Sequence, residues 1–235
     1  LIALLGYKAQ DFKIDASAET LLLENDKDLR YTRQVNNRYG VNDFLLISFT
    51  PKEGDLLSRK NLEVLASLRD ELSALEQVTS VFTILDVPLL QSPPITDGNF
   101  SKGLPRLQSP GVDKKLARTE LRESPFYREL IVSRDMKTTA VVANLKIDTA
   151  YRELIQQRNA YLETKADGRL TRAEQAEFKV LVKKIRNRLD ELNKKRHKNI
   201  QQVRSIIAKY RPHGQLYLGG ISMIADDMIT FIKKD

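Results

Sequence analysis

Two runs of β-forming residues stand on either side of a helical repeat, and that order constrains the fold more than any single motif. The run 44–50 (FLLISFT) is rich in β-formers and ends at Pro51, which reads as a strand. Leu62, Leu65, Leu68, Leu72 and Leu75 then recur at spacings of three and four, which predicts an amphipathic helix over 61–76. A second strand is predicted over 78–87 (VTSVFTILDV), so the stretch is a β-α-β unit.

Upstream, 11–24 has no clean period and reads as an extended arm. Asn25 or Asp26 caps a predicted helix over 27–39, with Gly40 where a helix stop is favoured. Downstream, 88–112 holds five of the eight prolines together with Gly98, Gly103 and Gly111, so it is a long loop. A short helix over 113–122 follows, then a hairpin of 129–133 and 138–147 around the turn 134–137. From Thr149 the pattern is helical for some sixty residues, broken near 166–169 (ADGR). Thr171 and Glu174 have the spacing of a capping box, which restarts a helix along Leu181, Ile185, Leu189 and Leu192. The stripe continues through Ile200, Val203, Ile206 and Ile207 to Pro212, where it must end, so two long antiparallel helices are the simplest account. A last strand over 215–218 and a terminal helix over 224–232 complete the chain. The order strand, helix, strand, strand, helix, strand predicts an α+β fold of the ferredoxin-like, split β-α-β type with a long inserted α-helical hairpin. The expected organisation is an N-terminal arm and helix over 1–41, an α+β domain over 42–150, the hairpin over 151–212, and a closing strand and helix over 213–235.

Hydrophobic content of 41% and charged content of 30% are those of a globular domain, and no internal apolar stretch reaches the roughly 18 residues of a membrane span. The two ends read differently. LIALLG at the start is too short to span a bilayer and lacks the basic leader and cleavage site of a signal peptide. At the other end, 216–235 (LYLGGISMIADDMITFIKKD) reads as a domain handing over to a membrane helix. The expectation is an extracytoplasmic loop excised between two transmembrane helices. Cysteine is absent, which removes disulfides, thiolate nucleophiles and cysteine-type zinc sites. The net charge of +8 is concentrated in 151–212, with 17 Lys and Arg against 7 Asp and Glu, and the remainder is slightly acidic. Such a segment meets anionic lipid, nucleic acid or an acidic partner, or is simply a solvated helix face.

No catalytic or cofactor motif survives scrutiny. Gly98 and Gly103 have phosphate-loop spacing, but Leu104 and Pro105 stand where a lysine and a hydroxyl residue belong. The stretch 163–174 resembles a calcium loop, yet Lys165 occupies a ligand position and capping explains Glu174. Asp226 and Asp227 are adjacent, so on a helix they diverge by about 100° and cannot face one reacting centre. His197 and His213 lack partners at metal-ligand spacing, and no G-x-S-x-G elbow is present. No cofactor or metal is implied. The basic run at Lys194, Lys195, Arg196 and Lys198 is the candidate contact for lipid headgroups or a partner; nucleic acid is disfavoured because stacking aromatics and a recognisable motif are missing. Leu89, Leu90, Ile95, Phe100 and Leu104 are candidates for a cargo-facing surface, the alternative being a loop that packs back on its own domain.

The segments DASAETLLLENDKDLRY, YGVNDFLLISFTP, SPFYRELIVSRDMKTTAVVANL and LYLGGISMIADDMITFI resemble, in order and spacing, the first large periplasmic loop of resistance-nodulation-division (RND) exporters, in the hydrophobe/amphiphile efflux or MMPL-like branch. The resemblance spans nearly the whole chain except the basic hairpin. It implies a porter domain of a proton-driven exporter in the bacterial inner membrane, on the periplasmic side, with no enzymatic activity of its own. It further implies hydrophobic or amphiphilic, lipid-like cargo. The implied partners are the membrane helices and second periplasmic loop of the same transporter, with a homo-oligomer or a periplasmic protein beside them. The proton-relay residues of that family lie in membrane helices, so none maps onto this sequence. Two departures stand out: Asp135-Met136 where the family's hairpins often have Asp-Gly, and the 151–212 hairpin itself. A charge of +8 outside the membrane is compatible with translocation, because long domains largely escape the positive-inside bias. The competing expectation is a soluble basic module that binds nucleic acid or an acidic protein through the hairpin.

Overall fold

The computed structural model describes residues 27–39, 43–91, 104–166 and 171–234. The 11–24 arm, the ADGR break and most of the proline-rich loop lie outside the described residues. In chain order the elements are α1 (Lys27–Tyr39), β1 (Phe44–Pro51), α2 (Arg59–Ser73), β2 (Val78–Phe82), α3 (Lys114–Glu123), β3 (Thr139–Leu145), α4 (Thr149–Ala166), α5 (Arg172–Tyr210), β4 (Gly214–Gly219) and α6 (Ile221–Lys234). The fold is a mixed α+β one with a four-stranded antiparallel sheet in the order β2-β3-β1-β4. β3 therefore lies between β1 and β2, and β1 lies between β3 and β4.

The chain divides into two compact units. One comprises Leu1–Val41, Asp148–Asn193 and Ile224–Asp235; the other comprises Asn42–Ile147 and Lys194–Met223. The second carries the sheet. Alternation along β1 buries Leu45, Ile47 and Phe49 completely, and Val141 and Ala143 of β3 and Leu216 of β4 share that face. Leu62, Leu65, Leu68 and Leu72 of α2, and Val203, Ile206, Ile207 and Tyr210 of α5, complete the same core. Helices thus cover one face of the sheet. The last part of α5, from Lys194, belongs to the unit that carries the sheet.

The local reasons are specific. Ser58 caps α2 by accepting from the Asn61 amide at 3.3 Å, and Asp113 caps α3 by accepting from the Lys115 amide at 2.7 Å. Thr171 and Glu174 form the predicted capping box, with Glu174 Oε2 accepting from the Thr171 amide at 2.7 Å and Thr171 Oγ1 accepting from the Glu174 amide at 3.3 Å. The Thr171 amide, and after it the Thr171 hydroxyl, holds the Glu174 carboxyl below its usual range. Within the first unit, Asp148 pairs with Arg188 at 2.5 Å, and Tyr161 donates to Glu177 at 2.7 Å while packing on Phe178 with ring centroids 5.9 Å apart. As the number rises along α4 it falls along α5, so the two helices are antiparallel there.

Two predicted strands are shorter than expected. β2 ends at Phe82 because Asp86 Oδ2 accepts from both the Thr83 amide and the Thr83 hydroxyl, each at 2.9 Å, which curls 83–86 into a turn. Ile84, Leu85 and Val87 are still buried, so their hydrophobicity reports the core and not a strand. The first arm of the expected hairpin, 129–133, contributes only isolated bridges, because Glu129 takes a positive φ of 62° and breaks the extended run. At the following turn Met136 adopts φ 57°, the conformation a glycine would fill at no steric cost, while its side chain is buried in the core.

α5 is fastened to α2 by Glu71, which accepts from Lys209 Nζ at 2.7 Å and from the Tyr210 hydroxyl at 2.8 Å. Lys209, then Tyr210, holds the Glu71 carboxyl below its usual range. Burial first, and the Glu71 hydrogen bond second, push the Tyr210 phenol up to about 12. The unfolded phenol titrates near 10, so the folded state retains this proton over the interval between the two values. Its stabilising contribution is complete below pH 10 and is lost as pH rises through about 12. Tyr210→Phe therefore removes that contribution, and the parent's stability advantage over the variant shrinks from pH 9 to pH 12. Urea unfolding of both proteins across that range measures the difference; an advantage independent of pH contradicts the assignment.

Candidate functional site

At the end of the sheet where β1 begins, Asp43 sits beside the last residues of β3. Its carbonyl accepts from the Leu145 amide at 2.8 Å, and its carboxylate accepts a hydrogen bond from the Ser222 hydroxyl at the start of α6. Gly220, between β4 and α6, has φ +134° and lies so close to the Phe44 carbonyl that a Cβ would approach it to 2.8 Å. Glycine is therefore needed there, both for its backbone angle and for the space. These contacts bring the chain entering the sheet and the chain leaving it to one point.

Beside that point lies an open cleft of about 300 Å³ lined by Asp43, Thr79, Ser80, Asn144, Leu145 and Ile147. An irregularity in the β2–β3 register between Val78 and Ser80 places Thr79 and Ser80 at its rim. The Thr79 hydroxyl donates to the Asn144 carbonyl at 3.1 Å, and the Asn144 amide donates to Ser80 Oγ at 3.0 Å. Its polar groups are thus paired with one another and hold the strand ends together. Among the described residues no group of three or more His, Asp or Glu side chains gathers as a metal site.

The sequence-predicted positions separate. Leu89 is fully buried in the core, so it offers no surface to cargo; its amide donates to the Pro105 carbonyl at 2.7 Å, which ties the two roots of the loop together. Leu90 and Leu104 are exposed at those roots, and Ile95 and Phe100 lie outside the described residues, as does the Gly98 to Gly103 spacing. Lys194, Lys195 and Lys198 are exposed on α5 and Arg196 is half-buried, so the basic run does not present one uniform face. His197 and His213 are exposed, the latter with its ring 6.4 Å from that of Tyr210. Asp226 is buried and Asp227 half-buried.

Sequence reasoning missed Glu120. This carboxylate is buried on α3 and accepts from the Leu90 amide at 2.6 Å and from the Gln91 amide at 2.9 Å. The Tyr127 hydroxyl donates to the Pro88 carbonyl at 2.8 Å beside it, and burial, then the Glu120 charge, pushes the Tyr127 phenol up. The signal was present in the sequence: Glu120 shares the inward helix face with Ala117 and Leu121, where an apolar residue belongs unless backbone amides need an acceptor.

Glu120→Ala removes the charged acceptor that the Leu90 and Gln91 amides share, which costs about 1–3 kcal/mol and frees the loop root. Denaturant unfolding measures the first effect and the rate of proteolytic cutting near residue 91 the second; an unchanged cutting rate contradicts the anchoring role. Among the described residues no helix is long and apolar enough to cross a membrane. Compared with models of protein families and with curated proteins, the chain matches none.

Proposed function

We propose that this chain is the extracytoplasmic porter domain of an RND-type inner-membrane exporter of hydrophobic or amphiphilic, lipid-like cargo. The observation that carries the reading is the joint at Asp43, Gly220 and Ser222: the first residue before β1 and the start of the helix after β4 are hydrogen-bonded to each other, which suits a domain inserted between two consecutive membrane helices. The sheet order supports it further. β1 and β2 flank β3, and β3 and β4 flank β1, as expected of the ferredoxin-like, split β-α-β arrangement predicted from the succession of elements. Three of the resembling segments contain β1, β3 and the larger part of β4, and α4 and α5 stand between β3 and β4 in the chain.

On this reading the domain works mechanically. Motion of the membrane helices enters through α6 and through the chain before β1, and the Ser222–Asp43 hydrogen bond makes the two inputs move the sheet as one body. The test uses the complete transporter in cells. Ser222→Ala and Asp43→Asn lower export of an amphiphilic dye several-fold while the amount of protein in the membrane stays at the parental level. Unimpaired export by both variants removes the mechanical role. Sequencing the gene beyond Asp235 tests the reading as a whole, since a polar continuation without about 20 apolar residues sinks it.

A second reading, a basic module binding nucleic acid or an acidic protein, is favoured by the exposure of Lys194, Lys195 and Lys198. It requires an affinity that falls steeply with salt and vanishes in the triple Glu variant of those lysines. Binding indifferent to both rejects it.

A further inference from the structure

α6 is turned inside out. Ser222 and Asp226, one turn apart, are each 4% exposed, and Asp227 and Thr230 are half-buried, so the helix directs its polar side chains into the protein. Its large apolar side chains face out instead: Ile221 is 81% exposed, Ile224 53%, Met228 46%, Phe231 70% and Ile232 49%. Spacings of three, four, three and one residues place these side chains within about 100° of arc, a single stripe along about three turns. A helix against water shows the opposite pattern.

The chemistry of the stripe narrows its occupant. From Ile221 to Ile232 it offers no hydrogen-bonding side chain, whereas a protein interface carries about one hydrogen bond per 100–200 Å² and a polar rim. Hydrocarbon is the one surrounding that asks for none. Pairing with α6 of a second copy is disfavoured by length, because the stripe covers fewer than two heptads and a coiled coil needs about three or four, with charges beside the seam. Here the positions beside the seam include Ala225 and Ile232, which carry none. The charges of the helix suit an anionic lipid surface: Asp226 and Asp227 lie off the stripe, and Lys234 is exposed in the last turn. At about 1.5 Å per residue the stripe is about 18 Å long, and its side chains reach the depth of the headgroup and acyl boundary.

We infer that the outward stripe of α6 seats on a membrane surface, with Ile221, Ile224, Met228, Phe231 and Ile232 entering the acyl boundary of an anionic bilayer. The inference does not require that the chain belong to an exporter, so vesicle binding and export fail separately.

The chain has no tryptophan, so Phe231→Trp places a single reporter on the stripe. With vesicles of phosphatidylethanolamine and phosphatidylglycerol at about 3:1, its emission shifts to the blue and is quenched by brominated acyl chains. Lys194→Trp on α5 is neither shifted nor quenched. Cosedimentation of the full chain with the same vesicles gives the affinity. Ile224→Ser and Phe231→Ser each lower it about tenfold, as loss of one buried apolar side chain implies, at positions open enough to leave the fold intact, as circular dichroism verifies. Raising NaCl from about 0.05 to about 0.5 M lowers it less than either variant does. Absence of binding, or binding indifferent to both serine variants, overturns the inference. Quenching of Lys194→Trp with binding abolished at high salt overturns it in favour of the basic face of α5. A dimer that both serine variants dissociate, without vesicle binding, overturns it in favour of a second copy.

Discussion

The inward row of β1 is the constraint on which the rest of the sheet unit depends. Leu45, Ile47 and Phe49 have no exposed surface, and β1, like β3, is paired on both sides, with β3 and with β4. A slip of one residue would turn that row to the open face and bring Phe44, Leu46 and Ser48 inward. The slip is resisted at the far end, where the Lys52 amide donates to the His213 carbonyl at 2.9 Å and Gly214 lies against Thr50. A Cβ at Gly214 would come within 2.4 Å of the Thr50 carbonyl, so only glycine permits the strands to meet there. Pro51 removes one amide at the strand's end, and pairing stops within a residue of it.

What was legible in the sequence followed from periodicity and capping, both of which act over a few residues. The leucines at 62, 65, 68 and 72 lie in the core, and the Thr171–Glu174 box forms as its spacing implies. The rest depended on contacts between distant residues. Ile84, Leu85 and Val87 are apolar whether they continue a strand or follow a turn, and only the Thr83–Asp86 hydrogen bonds decide. The stripe along α5 does not break where the helix passes from one compact unit to the other, because each unit demands an apolar face at the same period. Glu120 falls on the inward face of its helix, but only the amides of Leu90 and Gln91, some thirty residues earlier, give the reason for a charge there.

The run FLLISFT shows a different kind of ambiguity. A continuous apolar strand describes burial on both faces, while alternation describes burial on one. β1 combines the sequence of the first with the setting of the second: Phe44 and Leu46 are as apolar as Leu45 and Ile47, yet they face outward. β3 follows suit, with Val141 buried and Val142 half-buried in adjacent positions. The sequence of these central strands is thus suited to a sheet covered twice, and the structure covers it once.

The joint and the open face of the sheet use different stretches of the strands. The joint uses Asp43, Gly220 and Ser222 at the strand ends, where side chains are polar and the geometry is fixed by a close backbone approach. The open face uses Leu46, Phe82, Val142 and Tyr217 along the strand centres, where charge is absent and the surface is flat. Phe44 is the nearest approach of the two, because it follows Asp43 directly and is exposed while its carbonyl lies against Gly220. Whatever holds β1 at that residue therefore holds the joint as well.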